Sequence, residues 1–218
     1  MSEKLVVVGA GGLAREVMWY IQDTNKTTKQ YDILGFIESD KSQLDTMVNG
    51  FPVLGDDEWL IQYQSELNVV IAIGSGKLRK QIFDRISAND KLKFPVFISE
   101  NVKYSDTTSF GKGCIICPSN ILCPNVVLGD FVFINLSCTI THDVVIDKFA
   151  TVNPGVDIAG NVHIMEFSTI GIGANIIQGK RIGKSTVIGG GAVVIDDIPD
   201  NCTAVGVPAK PIKFNDGY

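Results

Sequence analysis

The chain contains two histidines, and one of them, His142, stands in the run Thr141-His142-Asp143. An imidazole with an ordinary pKa near ~6.5 is mostly neutral at neutral pH, so it can take a proton from an amine or a hydroxyl. A solvated corner histidine is the plainer reading of the same residue. Cys114 and Cys117 form a Cys-x-x-Cys spacing, which metal and redox sites share. Near the N-terminus, Gly9-x-Gly11-x-x-Ala14 follows an apolar run and fits a dinucleotide fingerprint. That pattern is weak alone, because a turn at a helix N-terminus equally cradles a pyrophosphate.

The elements that position these residues fall into two halves with different rhythms. In residues 1–95, short apolar runs alternate with amphipathic stretches. Strands are predicted at residues 4–8, 31–37 and 69–73, and helices at 13–23, 57–64 (with Asp56 as N-cap) and 77–87. Alternating strands and helices imply a small parallel, Rossmann-like sheet. Too few residues precede residue 96 for a full six-stranded dinucleotide fold.

From residue 98 the period becomes six. A large apolar side chain occupies every sixth position from Ile98 through Ile116, Ile134, Ile140, Ile158 and Ile176 to Val194. Four residues after each comes a smaller side chain in nearly every unit, such as Cys114, Cys138, Ala150, Ala174 and Ala192. A fixed short period is the mark of a stacked β-solenoid. Three hexads close one triangular coil, so residues eighteen apart stack at roughly the ~4.8 Å strand spacing. By that step Gly160 lies one coil above His142, Asn153 above Asn135, and Gly190 above Ile172. Lys180 falls on a small-residue position, where a distorted corner is expected in place of a buried charge. The same register puts Cys114 inward and Cys117 outward, which speaks against a shared metal site. The expected organisation is an α/β domain over 1–95, a β-helix over 96–200 and a tail over 201–218.

Composition limits the function. The charge of -5 argues against a nucleic-acid partner, and no run approaches the ~18 apolar residues of a membrane span. The first residues run straight into a glycine turn, so no signal peptide is expected. Five cysteines, an odd number, then indicate reduced thiols and a cytoplasmic protein.

The repeat resembles the hexapeptide acyltransferases. GAGGLAREV at 9–17, AIGSGKLRKQI at 72–82, NLSCTITHDVVI at 135–146, DIAGNV at 157–162 and GVPAKPI at 206–212 narrow the likeness. They fit, in order, the nucleotide-sugar N-acetyltransferases similar to the bacillosamine-pathway enzyme, together with the sialic acid O-acetyltransferases. The resemblance implies a left-handed parallel β-helix, a homotrimer with sites between subunits, and acetyl-CoA as co-substrate without a metal. It assigns His142 as the base, Asp143 as the acid that strengthens it, and Gly160 as an oxyanion donor whose missing side chain lets a thioester approach its N–H. It places Asn135 near the reacting groups. Thr151, Ile172 and Gly190 match acetyl-CoA contacts, and Lys210 in the tail could meet a CoA phosphate. Gly11, Gly12, Leu13, Glu38, Ser39 and Gly74 match the nucleotide-sugar site.

Two departures stand out. Thr151 replaces a histidine that touches acetyl-CoA in the bacillosamine enzyme, and Leu13 replaces one that touches its sugar. The chemistry is thus preserved while sugar recognition differs. The resemblance gives His163 no role, and it reads as structural. The expected function is transfer of an acetyl group to an amine of a nucleotide-linked sugar, with a UDP-4-amino-dideoxy sugar as the expected substrate, in surface glycan synthesis. Sugar O-acetylation is the alternative, then a non-catalytic binding scaffold, and more distantly an NAD-linked oxidoreductase. A zinc carbonic anhydrase shares the helix type but needs three histidine ligands, and the chain has two.

Overall fold

The computed structural model describes residues 2–214. The last four residues of the tail assigned to 201–218 therefore lie outside the described residues. The chain divides into two compact units, Met1–Phe97 and Ile98–Tyr218.

The first unit holds β1 (Glu3–Val8), α1 (Gly12–Thr28), β2 (Tyr31–Ile37), β3 (Met47–Val48), β4 (Phe51–Gly55), α2 (Asp57–Ile61), β5 (Leu67–Ile71), α3 (Gly76–Ile86) and β6 (Leu92–Lys93). The sheet order is β3-β4-β2-β1-β5-β6, parallel throughout except for β3 against β4. Leu5, Val6 and Val7 of β1 have no exposed surface, as a strand covered on both faces requires. The helix α1 runs past the expected end because Ala14, Val17, Met18, Ile21 and Thr24 continue one buried stripe. Asn25 then ties its end to β2, accepting the Tyr31 N–H at 2.9 Å and donating to the Tyr31 carbonyl at 2.6 Å. The helix α2 is shorter than expected. At its end the Leu60 and Ile61 carbonyls, and that of Tyr63 beyond it, accept from the Asn89 amide at 2.9, 3.3 and 2.9 Å.

The β3–β4 hairpin was not expected from the sequence, although its turn is Asn49-Gly50 with φ of 47° and 85°. Asn-Gly between apolar residues is a strong hairpin signal. Strand β1 lies between β2 and β5, so the chain reverses its winding there. In open α/β sheets the crevice at such a switch point binds ligands. The loops after β1 and β5 carry Gly9 to Gly12 and Gly74.

The second unit is a parallel β-helix of two-residue strands, each ending on the large apolar residue of its hexad, with the longer Cys202–Val205 and the antiparallel Lys210–Phe214 added at the end of the first face. Its faces form sheets of eight, six and five strands. Strands pair eighteen residues apart, Ile116 with Ile134, Val152, Ile170 and Ile188 on the first face. On the second face Leu122 pairs with Ile140, Ile158 and Ile176, and on the third Leu128 with Ile146, Ile164 and Ile182. These side chains fill the prism, with Ile116, Ile134, Ile140 and Ile146 wholly buried.

The corners share a feature the sequence register did not display: the fourth residue of nearly every hexad has positive φ. Ser119, Asn125, Phe131, Ser137, Asp143, Phe149, Asn161 and Phe167 all lie between 56° and 64°. Asn and Asp tolerate this conformation. The three phenylalanines offset its cost by stacking, Phe131 on Phe149 at 5.2 Å and Phe149 on Phe167 at 5.6 Å between centroids.

Two expectations are corrected. Lys180 does not distort its corner. It is half-exposed, and its carbonyl accepts the His163 N–H at 2.9 Å within the regular ladder. Cys117 does not face outward: it is as buried as Cys114, in a corner where the Asn120 amide donates to the Cys117 and Asn135 carbonyls at 2.7 and 2.8 Å.

Candidate active site

The strand Thr139–Ile140 on the second face delivers the chain into the corner that holds Thr141, His142 and Asp143. The His142 side chain is 53% exposed, and its Nδ1 lies 2.8 Å from Oδ2 of Asp143. A carboxylate only accepts, so Nδ1 is the donor in this contact, and in the neutral ring the lone pair lies on Nε2. The Asn125 amide, and then the imidazole of His142, hold the Asp143 carboxyl below the usual carboxylate range. Asp143 thus stays ionised at neutral pH and keeps the ring in this tautomer.

The eighteen-residue step places Gly160 directly against His142. A Cβ on Gly160 would stand 2.4 Å from Cε1 and 2.6 Å from Nε2 of His142, so the ring lies over a bare Cα. The corner is held by its coil ladder: Asp143 N–H donates to the Pro124 carbonyl, Asn161 N–H to His142 and Gly179 N–H to Gly160, at 3.1, 3.0 and 2.9 Å. Gly160 is buried beneath the ring, and its N–H donates to no acceptor among the described residues.

The remaining assigned residues stand elsewhere. Ile172 is 64% exposed, and a Cβ on Gly190 would lie 3.1 Å from its Cγ2, so these two form one column. That column and Asn135 occupy the corner between the first and second faces, whereas His142 occupies the corner between the second and third. Asn135 is buried, its Oδ1 accepting the Leu136 N–H at 2.8 Å. Within one chain it does not meet His142. Thr151 is 2% exposed, between Phe133 and Thr169 in the first face. Lys210 is ion-paired with Asp196 at 2.9 Å, just past the last strand of the second face. Both side chains are 61% exposed, so the pair is weak and a stronger anion can displace it.

Two cysteines flank the corner. Cys138 is the closer to His142 in sequence, but burial pushes its thiol up to about 11, which leaves it protonated at neutral pH. In space the thiol that shares the corner is Cys123, half-exposed and one coil below Thr141. The register contained this neighbour too, eighteen residues before Thr141. His163 pairs with Asp147 at 3.0 Å on the third face. Among the described residues no three His, Cys, Asp or Glu side chains converge on a common metal position.

In the first unit, Gly9 turns the chain at φ 98°, where a Cβ would meet Ile73 Cδ1 at 2.8 Å. Glu38, at the end of β2, closes the turn: Oε2 accepts the Ala10 N–H at 2.9 Å and Oε1 the Ser39 N–H at 2.8 Å. Space beside Gly11 is open, with no atom within 4 Å of a built Cβ, and Leu13 lies beside Gly74. The buried guanidinium of Arg79 donates to the Ile73 and Gly74 carbonyls at 2.7 and 3.0 Å and fixes the loop after β5. Gly11, Gly12, Leu13, Glu38, Ser39 and Gly74 therefore lie just past the C-terminal ends of β1, β2 and β5, at the switch point.

Comparison with known proteins agrees with both units. Residues 4–86 match the model of the PglD N-terminal domain. The acetyltransferase domain of PglB from Neisseria gonorrhoeae FA1090, solved with acetyl coenzyme A, is 31% identical with a TM-score of 0.86, over 97% of this chain and 100% of that one. WeeI from Acinetobacter baumannii AYE is 31% identical at 0.87, over 97% and 100%. PerB from Caulobacter crescentus, in complex with CoA and GDP-perosamine, is 27% identical at 0.85, over 96% and 97%. No curated protein matches the sequence. The chain has the Rossmann-like domain and left-handed β-helix of these proteins, and it belongs to the hexapeptide-repeat family of sugar acetyltransferases as an acetyltransferase itself.

Proposed function

We propose that the protein transfers the acetyl group of acetyl-CoA to the 4-amino group of a UDP-linked dideoxy sugar, in surface glycan synthesis. The observation that carries this reading is the His142 ring, held by Asp143, lying over Gly160 with Nε2 free. The amine nitrogen attacks the thioester carbonyl while Nε2 takes its proton. The Gly160 N–H faces the developing oxyanion. Collapse breaks the C–S bond, and the proton on His142 passes to the departing CoA thiolate. Ile172 and Gly190 carry the pantetheine arm, and Lys210 exchanges Asp196 for a CoA phosphate. Acylation of nitrogen is supported by a relative solved with CoA and GDP-perosamine, a variant of the perosamine N-acetyltransferase from Caulobacter crescentus.

The cofactor column and the catalytic corner lie on different corners of one prism. A homotrimer, in which the column of one chain faces His142 of another, brings them together, with Asn135 beside the reacting groups. Sedimentation at three times the chain mass of 23.6 kDa is expected. A fully active monomer refutes the arrangement. The five free thiols fit a reducing cytoplasm, and no helix among the described residues is long and apolar enough to cross a membrane.

The Gly11-Gly12-Leu13 turn, with Glu38, Ser39 and Gly74, takes the nucleotide. A UDP-4-amino sugar at one hundred times its Kd should stabilise the protein by about 2.7 kcal/mol, raising Tm measurably. GDP sugars and NAD are the competing arms of the measurement. A shift with GDP sugars alone reassigns the base, and one with NAD alone discards the acetyl-acceptor reading.

Asp143→Asn keeps the shape and removes the charge beside the base. Turnover should fall less than on loss of His142, and the acid limb of the pH–rate profile should move to lower pH. The imidazolium then lacks its carboxylate. An unmoved profile rules out this coupling.

A further inference from the structure

We propose that Asn125 is a positioning residue for the base, its side-chain amide orienting the Asp143 carboxylate that holds His142. Asn125 lies eighteen residues before Asp143 and so one coil below it, on the same corner. Its Nδ2 donates to Oδ1 of Asp143 at 2.9 Å, while Oδ2 faces Nδ1 of His142 at 2.8 Å. Each carboxylate oxygen thus has a different neighbour. That matters because the terminal torsion of an aspartate is otherwise broad. An exposed carboxylate held only by an exposed imidazole would turn, and the ring would lose its fixed tautomer.

Asn125 is itself anchored. Its N–H donates to Oγ1 of Thr107 at 2.9 Å, another coil down the same column. Both Asn125 and Asp143 have left-handed backbone, φ 64° and 60°, so the two side chains leave the corner from equivalent positions. The amide is also the largest influence holding the Asp143 carboxyl below its usual range. The relay therefore spans three coils, from Thr107 through Asn125 and Asp143 to His142, and nothing in its chemistry requires contact with substrate.

The inference rests on His142 being the base, and its test separates the two. Asn125→Gly keeps the left-handed corner and removes only the amide. Turnover should fall about tenfold, the scale of losing one hydrogen bond to a charged group, with KM for acetyl-CoA and Tm unchanged. The carboxyl of Asp143, followed by NMR titration, should rise towards the ordinary range. Asn125→Asp, which fits the same backbone but sets a second carboxylate against Asp143, should lose at least as much turnover. In an Asp143→Ala background Asn125→Gly should cost nothing further, because its effect passes through Asp143. Unchanged turnover in both Asn125 variants overturns the proposal, and so does an additive loss in that background. Full turnover in His142→Ala overturns the base assignment, and this inference with it.

Discussion

Replacing His142 by alanine is expected to lower kcat by about 10²–10⁴-fold, the usual contribution of a general base. The ring makes no contribution to the prism core: its side chain is 53% exposed and its polar contact is with the exposed Asp143. Folding should therefore be unaffected, and acetyl-CoA binding nearly so, since the column of Ile172 and Gly190 stands on another corner. The loss should appear in kcat with KM for acetyl-CoA unchanged. A covalent route through a thiol is the competitor, and it makes a different prediction. Cys138 is buried with its thiol pushed up to about 11, which leaves Cys123 as the thiol nearest the corner. Cys123→Ala and Cys138→Ala should both turn over, the second with reduced stability. An acetylated cysteine trapped with acetyl-CoA alone, or near-normal turnover in His142→Ala, rules out direct transfer.

The β-helix was legible because a narrow prism admits one large apolar side chain per hexad, and that demand repeats at every sixth position. The stacking of Gly160 on His142 was legible for the same reason: an eighteen-residue step is a statement about space. Contacts between side chains on the outside of the coil were not. The step puts Asn125 below Asp143, but the amide contact depends on two left-handed corners, and that conformation is shared by Asn, Asp, Ser and Phe alike. Cys117 departs from its register: it is wholly buried, in the corner where the Asn120 side chain bonds the Cys117 carbonyl. In the first unit, Glu38 was assigned through resemblance, while its capping of the Ala10 N–H needed the fold.

The second large effect is expected from Gly160→Ala. Most glycines whose built Cβ clashes in the β-helix do so against backbone: at Gly111 the Cβ would meet the Asp130 nitrogen at 2.4 Å and the Gly129 carbonyl carbon at 2.5 Å. There an added methyl moves a coil, and the fold is damaged. At Gly160 the three nearest atoms all belong to the His142 ring, at 2.4 to 3.0 Å. An exposed ring can swing aside at small cost to folding, but it then leaves both Asp143 and the space above the Gly160 N–H. The same methyl also fills the approach to that N–H. Losing the base position costs about 10²-fold or more, and blocking an oxyanion donor costs about 10²–10³-fold. Gly160→Ala should therefore keep Tm within about two degrees while kcat falls at least a hundredfold. Added to His142→Ala, it should cost far less than it does alone if displacement of the ring dominates, because residues acting as a unit are not additive. A full second loss in the double variant assigns the effect to the oxyanion donor. Normal turnover in Gly160→Ala, or a collapse of Tm that accounts for the loss, removes Gly160 from the mechanism.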